Sequence, residues 1–241
     1  MPEKEEDPVE PPSGRIKVRI ESLSDLVFGL ALSIGSIGFL SNPPHSAFGL
    51  AKNVAFFGFS FAILVFTWLG YSRTMAFLSK EKESALTLNL ILLFLVAIEP
   101  YLFYILVTAA TDYFANIFST AYALDVGAMF LVQAALARSV INENVAAMKS
   151  GKSHLNEVVL TRFRGVMITE AVIGAIYLLS ALPIFWEVST GIDKLRFVLW
   201  YSSFAIFVVI RIVRRPRSAD QQTETQKVSK LSEKSSNQRA T

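Results

Sequence analysis

Asp25, Glu99 and Asp125 are carboxyl side chains inside segments of the sequence that are otherwise apolar. An ionisable group inside a membrane is costly, so it usually pairs with another group, contacts water or takes part in transport. Asp25 is predicted to belong to a structural network at the start of its helix. Glu99 either accepts a neighbour's hydrogen bond or reaches the interface, or it attracts cations or senses protons. Asp125 is either the buried partner of a tyrosine or arginine, or a proton site.

The residue types that enzyme catalysis and metal binding usually require are scarce in this sequence. The sequence has no cysteine, which excludes disulfides, thiolate catalysis and cysteine-ligated metals. Its two histidines, His45 and His154, lie in separate predicted loops and make a poor metal site. We therefore expect neither enzyme activity nor a cofactor or metal site.

The composition indicates an integral membrane protein. Of the 241 residues, 52% are hydrophobic and 18% are charged, and the mean hydropathy is +0.44. Soluble domains carry roughly a quarter charged residues. The net charge of +3 comes from basic clusters beside apolar segments, which favours orientation signals over nucleic-acid binding.

Six segments are long enough to cross a bilayer as helices, which takes about 20 apolar residues each. The sequence thus predicts an all-α, polytopic membrane protein with six transmembrane helices. Residues 1–18 are predicted to be an acidic, proline-rich tail, residues 19–215 the membrane domain, and residues 216–241 a disordered tail. The pair Glu99-Pro100 is predicted to interrupt the third span. The six spans cover about residues 23–40, 54–71, 85–107, 113–140, 165–185 and 195–213.

The orientation follows from the lysines and arginines near the ends of the spans, which mark the cytoplasmic side. Fifteen fall on one side, and only Lys52, Lys194 and Arg196 fall on the other. Both termini are therefore predicted to be cytoplasmic.

The predicted first helix carries two stripes, because each helical residue advances by about 100°. One is small and polar and comprises Asp25, Gly29, Ser33 and Ser36. The other is apolar and branched and comprises Leu30, Ile34 and Ile37.

Each stripe has two interpretations. Gly29-xxx-Ser33 is a spacing typical of close helix packing, but Ser33 or Ser36 could instead expose a hydroxyl to a water-filled path. The apolar stripe fits bundle core or lipid contact, and it also fits a hydrophobic constriction that gates a pore by excluding water.

Three segments resemble a known family. The run Arg19-xxx-Leu23-Ser24-Asp25 resembles the R-x-x-x-F-S-D signature of the transmembrane-protein-175 family, whose members are potassium-permeable channels without a TVGYG filter. FGFSFAILVFTWLGYSRT and LTLNLILLFLVAIEPYLFYIL resemble the second and third helices of the family. Leu23 replaces the signature phenylalanine, and Tyr71 stands where the second helix usually has histidine, so a histidine relay is not carried over.

The resemblance implies a homotetramer in the lipid bilayer, with the first helix of each subunit lining a central pore. By spacing from Asp25, the bulky pore-facing residue of the family falls on Leu30, and the hydroxyl linked to potassium preference falls on Ser33. Further hydrophobic pore positions fall on Ile34 and Ile37. The signature implies a network of Arg19, Ser24 and Asp25, supported by Trp68, Tyr71 and Asn89.

We therefore expect a potassium-selective or potassium-permeable channel in a prokaryotic cell membrane, with potassium as the permeant ion and no nucleic-acid partner. The alternative is a proton-coupled secondary transporter that uses Glu99 or Asp125. Transporters usually contain internal repeats, and none is evident between the two halves of this sequence.

Overall fold

The computed structural model describes residues 12–41, 46–78, 83–149, 157–190 and 194–213. Both histidines and residues 1–11 and 214–241, which form most of the two predicted tails, lie outside the described residues. The helices are α1 (Pro12–Ser41), α2 (Ala47–Ala76), α3 (Glu83–Val107), α4 (Asp112–Lys149), α5 (Glu157–Ser180), α6 (Ile184–Glu187) and α7 (Leu195–Val213).

The helical membrane architecture is confirmed in its main features. Within the described residues, five helices are long and apolar enough to cross a membrane, namely α1 to α5, and α7 has a shorter apolar stretch. The break between α3 and α4 falls at residues 108–111, as predicted. The count of six crossings and the position of the termini remain predictions.

Two predicted boundaries are wrong. Helix α3 continues through Glu99 and Pro100 to Val107, because loss of a single backbone N–H is tolerated when neighbouring groups compensate in a membrane helix. The predicted fifth span, 165–185, instead divides into α5, a turn and the short helix α6. Pro183 immediately precedes α6, where its fixed φ angle suits the start of a new helix.

Helix α4 is the centre of the bundle. It packs against α2, α3 and α5, and 61% of its most apolar stretch is buried. Helix α1 packs on α2 and α3. Residues up to Tyr201 form one compact unit, and the part of α7 from Ser202 onward belongs to a second, separate unit. The residues considered below belong to the first unit.

Helices α4 and α5 approach each other closely at two glycines. A Cβ atom added to Gly174 would lie 2.9 Å from the carbonyl oxygen of Gly127. A Cβ atom added to Gly127 would lie 3.1 Å from the carbonyl oxygen of Gly174 and 2.8 Å from the side chain of Leu178. Small residues at such crossings allow backbones to pack directly in membranes.

Replacing Gly174 with alanine should therefore destabilise the bundle. We expect Gly174→Ala to lower the free energy of unfolding by about 1–3 kcal/mol, because the new methyl group collides with backbone that cannot rotate away. Gly58→Ala is the matched control, since nothing lies within 4 Å of a Cβ atom at Gly58. Unfolding in mixed detergent micelles, followed by tryptophan fluorescence, measures the difference, and equal stability of the two variants would contradict the close approach.

Candidate functional site: the exposed side of helix α1

Helix α1 has one narrow buried side. Ser24, Phe28 and Ala31 are at most 2% exposed. At about 100° per residue, these three positions lie within about 60° of one another around the helix. This side packs on α2 and α3, so the remaining circumference of α1 is available for contacts outside the subunit.

The three predicted constriction residues lie on the exposed side. Leu30, Ile34 and Ile37 are 53%, 49% and 55% exposed. Leu26, one turn before Leu30, extends the same stripe. The interpretation of the stripe as core of the subunit is therefore wrong. Lipid contact and contact with other subunits around a pore both fit this exposure.

The small polar stripe is exposed as well. The hydroxyl group of Ser33 donates to the carbonyl of Gly29 at 2.8 Å, and the hydroxyl of Ser36 donates to the carbonyl of Ser33 at 2.7 Å. A Cβ atom at Gly29 would meet nothing within 4 Å, so Gly29 does not mediate helix packing inside the subunit. Gly35 does, because a Cβ atom there would lie 3.4 Å from the Phe57 ring.

Helix α2 holds α1 at a defined rotation through two hydrogen bonds. The indole Nε1 of Trp68 donates to Oδ1 of Asp25 at 2.9 Å. The hydroxyl groups of Ser24 and Tyr71 are 2.7 Å apart, and Ser24 also donates to the carbonyl of Ile20 at 2.8 Å. Because a serine hydroxyl has one hydrogen, Tyr71 is the donor to Ser24. The Trp68 indole is thus the nearby hydrogen-bond donor that a carboxyl group inside an apolar segment requires.

The other two predicted members of this network differ in their surroundings. Asn89 on α3 is buried, and its side-chain amide has no hydrogen-bond partner among the described residues. Arg19 is exposed near the start of the apolar part of α1. Its role in the network remains a prediction.

Glu99 is fully buried and lies away from the exposed side of α1. Its Oε1 accepts hydrogen bonds from the Ser60 hydroxyl at 2.8 Å and from the Tyr122 hydroxyl at 3.1 Å. Asp125, one turn beyond Tyr122 on α4, is 5% exposed. Of the alternatives for Glu99, acceptance of hydrogen bonds inside the bundle is the one observed.

A buried polar cluster between α2, α4 and α5 is absent from the sequence predictions. The amide Nε2 of Gln133 donates to the carbonyl of Thr67 at 2.7 Å. A Cβ atom at Gly70 would lie 2.6 Å from Oε1 of Gln133 and 3.1 Å from Oε1 of Glu170, so this glycine leaves room for both side chains. Each of the two polar residues interrupts an apolar helix, which is the signal that could have found them.

Arg196, at the start of α7, is also more deeply placed than its position near a span end indicates. It is fully buried, and its guanidinium donates to the carbonyls of Ser180, Ala181 and Leu182 at the end of α5. The same group donates to the Asn116 carbonyl and side-chain oxygens and to the hydroxyls of Ser119 and Thr120 on α4. Arginine here caps a helix C-terminus, where the carbonyls are unpaired and the dipole favours a cation.

The part of the chain that contains this site is similar to a known protein family. The sequence model of a family described as "Endosomal/lysosomal potassium channel TMEM175" matches residues 19–100. Over these residues the chain is similar in sequence to the TMEM175 family. The matched range contains the α1 stripe, the Asp25–Trp68 and Ser24–Tyr71 contacts, and Glu99. No curated protein matches the chain in sequence.

A solved structure with a similar fold points to the same family. The chain is similar to the crystal structure of a lysosomal potassium-selective channel TMEM175 homolog from Chamaesiphon minutus, with a TM-score of 0.55 and 19% sequence identity. The similarity covers 82% of this chain and 98% of that one. It extends the shared architecture beyond the region matched in sequence.

Proposed function

We propose that this chain is a member of the TMEM175 family and a potassium channel of the cell membrane. The family description and the name of the structurally similar homolog both refer to potassium channels, which supports the proposal. The observation that carries it is the continuous, half-exposed apolar stripe on α1, on the opposite side of the helix from the residues that attach α1 to its own subunit. The chain crosses the membrane six times with cytoplasmic termini in this proposal, α7 being the sixth crossing.

The channel is a homotetramer in which four copies of α1 surround the pore. Leu30 forms an apolar collar, and Ile34 and Ile37 continue it along the pore. An ion that passes the collar loses part of its hydration shell, which costs weakly hydrated potassium less than sodium. The exposed hydroxyl oxygen of Ser33 retains lone pairs after donating to Gly29, so it can offset part of this cost.

The rotation of α1 determines which residues face the pore. Asp25 and Ser24 hold that rotation through Trp68 and Tyr71, so these charged and polar groups position the pore residues without contacting the ion. Tyr71 donates directly to Ser24, a contact that a hydroxyl can make in place of the usual histidine of the family.

Potassium flux from proteoliposomes tests the function directly. Vesicles loaded with potassium and containing the full chain should release it when an ionophore carries the compensating charge, and vesicles without protein should not. Absence of flux under both inward and outward gradients would refute the channel.

The symmetry of the purified oligomer tests the architecture. Electron-microscopy class averages should show four-fold symmetry with α1 nearest the axis. A monomer, or an oligomer with α1 at its periphery, would refute the proposed pore.

A further inference from the structure

Glu99 has an unusual environment for a carboxyl group inside a membrane bundle. It is fully buried, and both of its hydrogen-bond donors, Ser60 on α2 and Tyr122 on α4, contact the same oxygen, Oε1. The second oxygen, Oε2, has no hydrogen-bond partner among the described residues. One side of the carboxyl group is thus satisfied, and the other is not.

Asp125 is a second buried acidic group, on the neighbouring helix α4. It follows Tyr122 by one turn of α4, is 5% exposed, and has no hydrogen-bond partner for either oxygen among the described residues. Its charge interacts with that of Glu99. Two buried, unpaired negative charges on the packed helices α3 and α4 would be prohibitively costly, because burial removes hydration and like charges repel.

The described side chains that donate hydrogen bonds to this pair, Ser60 and Tyr122, are neutral. The Tyr122 ring contacts the rings of Phe103 and Trp200, with centroids 5.5 Å and 5.3 Å apart, and Tyr177 on α5 stacks on Trp200. Tyr122 and Tyr177 are the other titratable groups that interact here, and both are neutral as phenols. The guanidinium of Arg196 donates to neutral oxygens of α4 and α5.

The ligand that fits this arrangement is a proton. A metal cation requires several oxygen ligands, and the described residues contain no group of three or more acidic or histidine side chains that could hold one. A proton requires only one carboxyl oxygen, and Oε2 of Glu99 and both oxygens of Asp125 have no hydrogen-bond partner among the described residues. We propose that each subunit binds a proton at Glu99 and Asp125, between α3 and α4, so that the pair is not doubly charged at neutral pH.

This proton site is separate from the proposed ion path. Glu99 contacts Ser60 and Tyr122 inside the subunit, whereas Leu30, Ile34 and Ile37 lie on the exposed side of α1. The site is nevertheless adjacent to an α1 contact, since a Cβ atom at Gly35 would lie 4.0 Å from Pro100, the residue after Glu99. The proton therefore neutralises the part of α3 on which α1 packs.

Infrared spectroscopy of the full chain tests the proposal without any measurement of transport. A protonated carboxylic acid has a carbonyl-stretch band that carboxylates lack and that shifts in deuterated water. In a maltoside detergent, which has no ester carbonyl, the wild-type protein should show this band at neutral pH. Glu99→Gln or Asp125→Asn should remove it in part or completely, whereas Glu187→Gln, which changes an exposed carboxyl group, should leave this band unchanged.

A conservative variant keeps the test decisive if the carboxyl variants do not fold. Tyr122→Phe retains the ring and removes one donor to Glu99, so the band should shift to higher frequency as the hydrogen bonding of the carboxyl group weakens. A spectrum in which neither the carboxyl variants nor Tyr122→Phe alters a carboxylic-acid band would overturn the proton site. A protein that shows the band and its predicted changes but passes no potassium would refute the channel and support the proton site.

Discussion

Leu30→Asn is expected to increase potassium flux through the reconstituted protein by at least about tenfold, which corresponds to lowering a barrier by about 1.4 kcal/mol. An apolar collar excludes water from the pore, and an amide in its place can hydrate the passing ion. The same change should reduce the preference for potassium over sodium. The two ions differ in the free energy of partial dehydration, and an ion that stays hydrated in the pore does not undergo that step. Flux measured under potassium and under sodium gradients gives both quantities.

Two further variants distinguish the effect of the Leu30 collar on ion flux from the general effect of a polar residue in the membrane. Leu30→Ala should also increase flux, since it widens the collar without adding a polar group. Ile168→Asn places the same amide on α5 at a position with similar exposure, 57% against 53%, and should leave flux and selectivity unchanged. If both Leu30 variants conduct like the wild type, Leu30 does not line the narrow part of a pore.

Replacement of Arg196 with methionine is expected to destabilise the protein by on the order of 3 kcal/mol or more, because several buried oxygens lose their donor at once. The affected groups are the last carbonyls of α5 and the polar side chains at the start of α4. We expect a reduced yield of folded oligomer and unfolding at lower denaturing-detergent concentration.

The neighbouring lysine provides the control for that variant. Lys194 forms an exposed ion pair with Asp112 at 3.5 Å, and exposed pairs contribute less than about 1 kcal/mol. Lys194→Met should therefore unfold almost like the wild type. Arg196→Lys should fall between the two, since an ammonium has three donors where the guanidinium has five. If Arg196→Met were as stable as Lys194→Met, the buried hydrogen bonds would not support the bundle.

The two sides of α1 could largely be inferred from the sequence. Helical periodicity grouped Leu30, Ile34 and Ile37, and these residues do share one exposed side in the structure. The reason is that α1 is a regular helix throughout this stretch, so angles calculated from sequence positions apply directly. Whether that side contacts lipid or other subunits depends on neighbouring chains, which periodicity within one chain cannot reveal.

Contacts between helices distant in sequence were not predictable in the same way. Gln133 and Glu170 come together only because α4 and α5 cross closely, and the Arg196 site combines the start of α4, the end of α5 and the start of α7. No pattern within one segment of the sequence predicts such contacts between distant helices. At Pro100 the local sequence predicted a break that the structure does not have. Proline ends helices in water, but here it lies inside α3.

The unequal burial of the helices has a consequence for how such proteins can diverge during evolution. Only 17% of the apolar stretch of α1 is buried within the subunit, compared with 61% for α4. A substitution in α4 must satisfy three neighbouring helices at once, whereas one on the exposed side of α1 leaves the interior of the subunit intact. Relatives with this architecture can therefore acquire different permeation properties through a few changes in α1, while they inherit the rest of the bundle with little alteration.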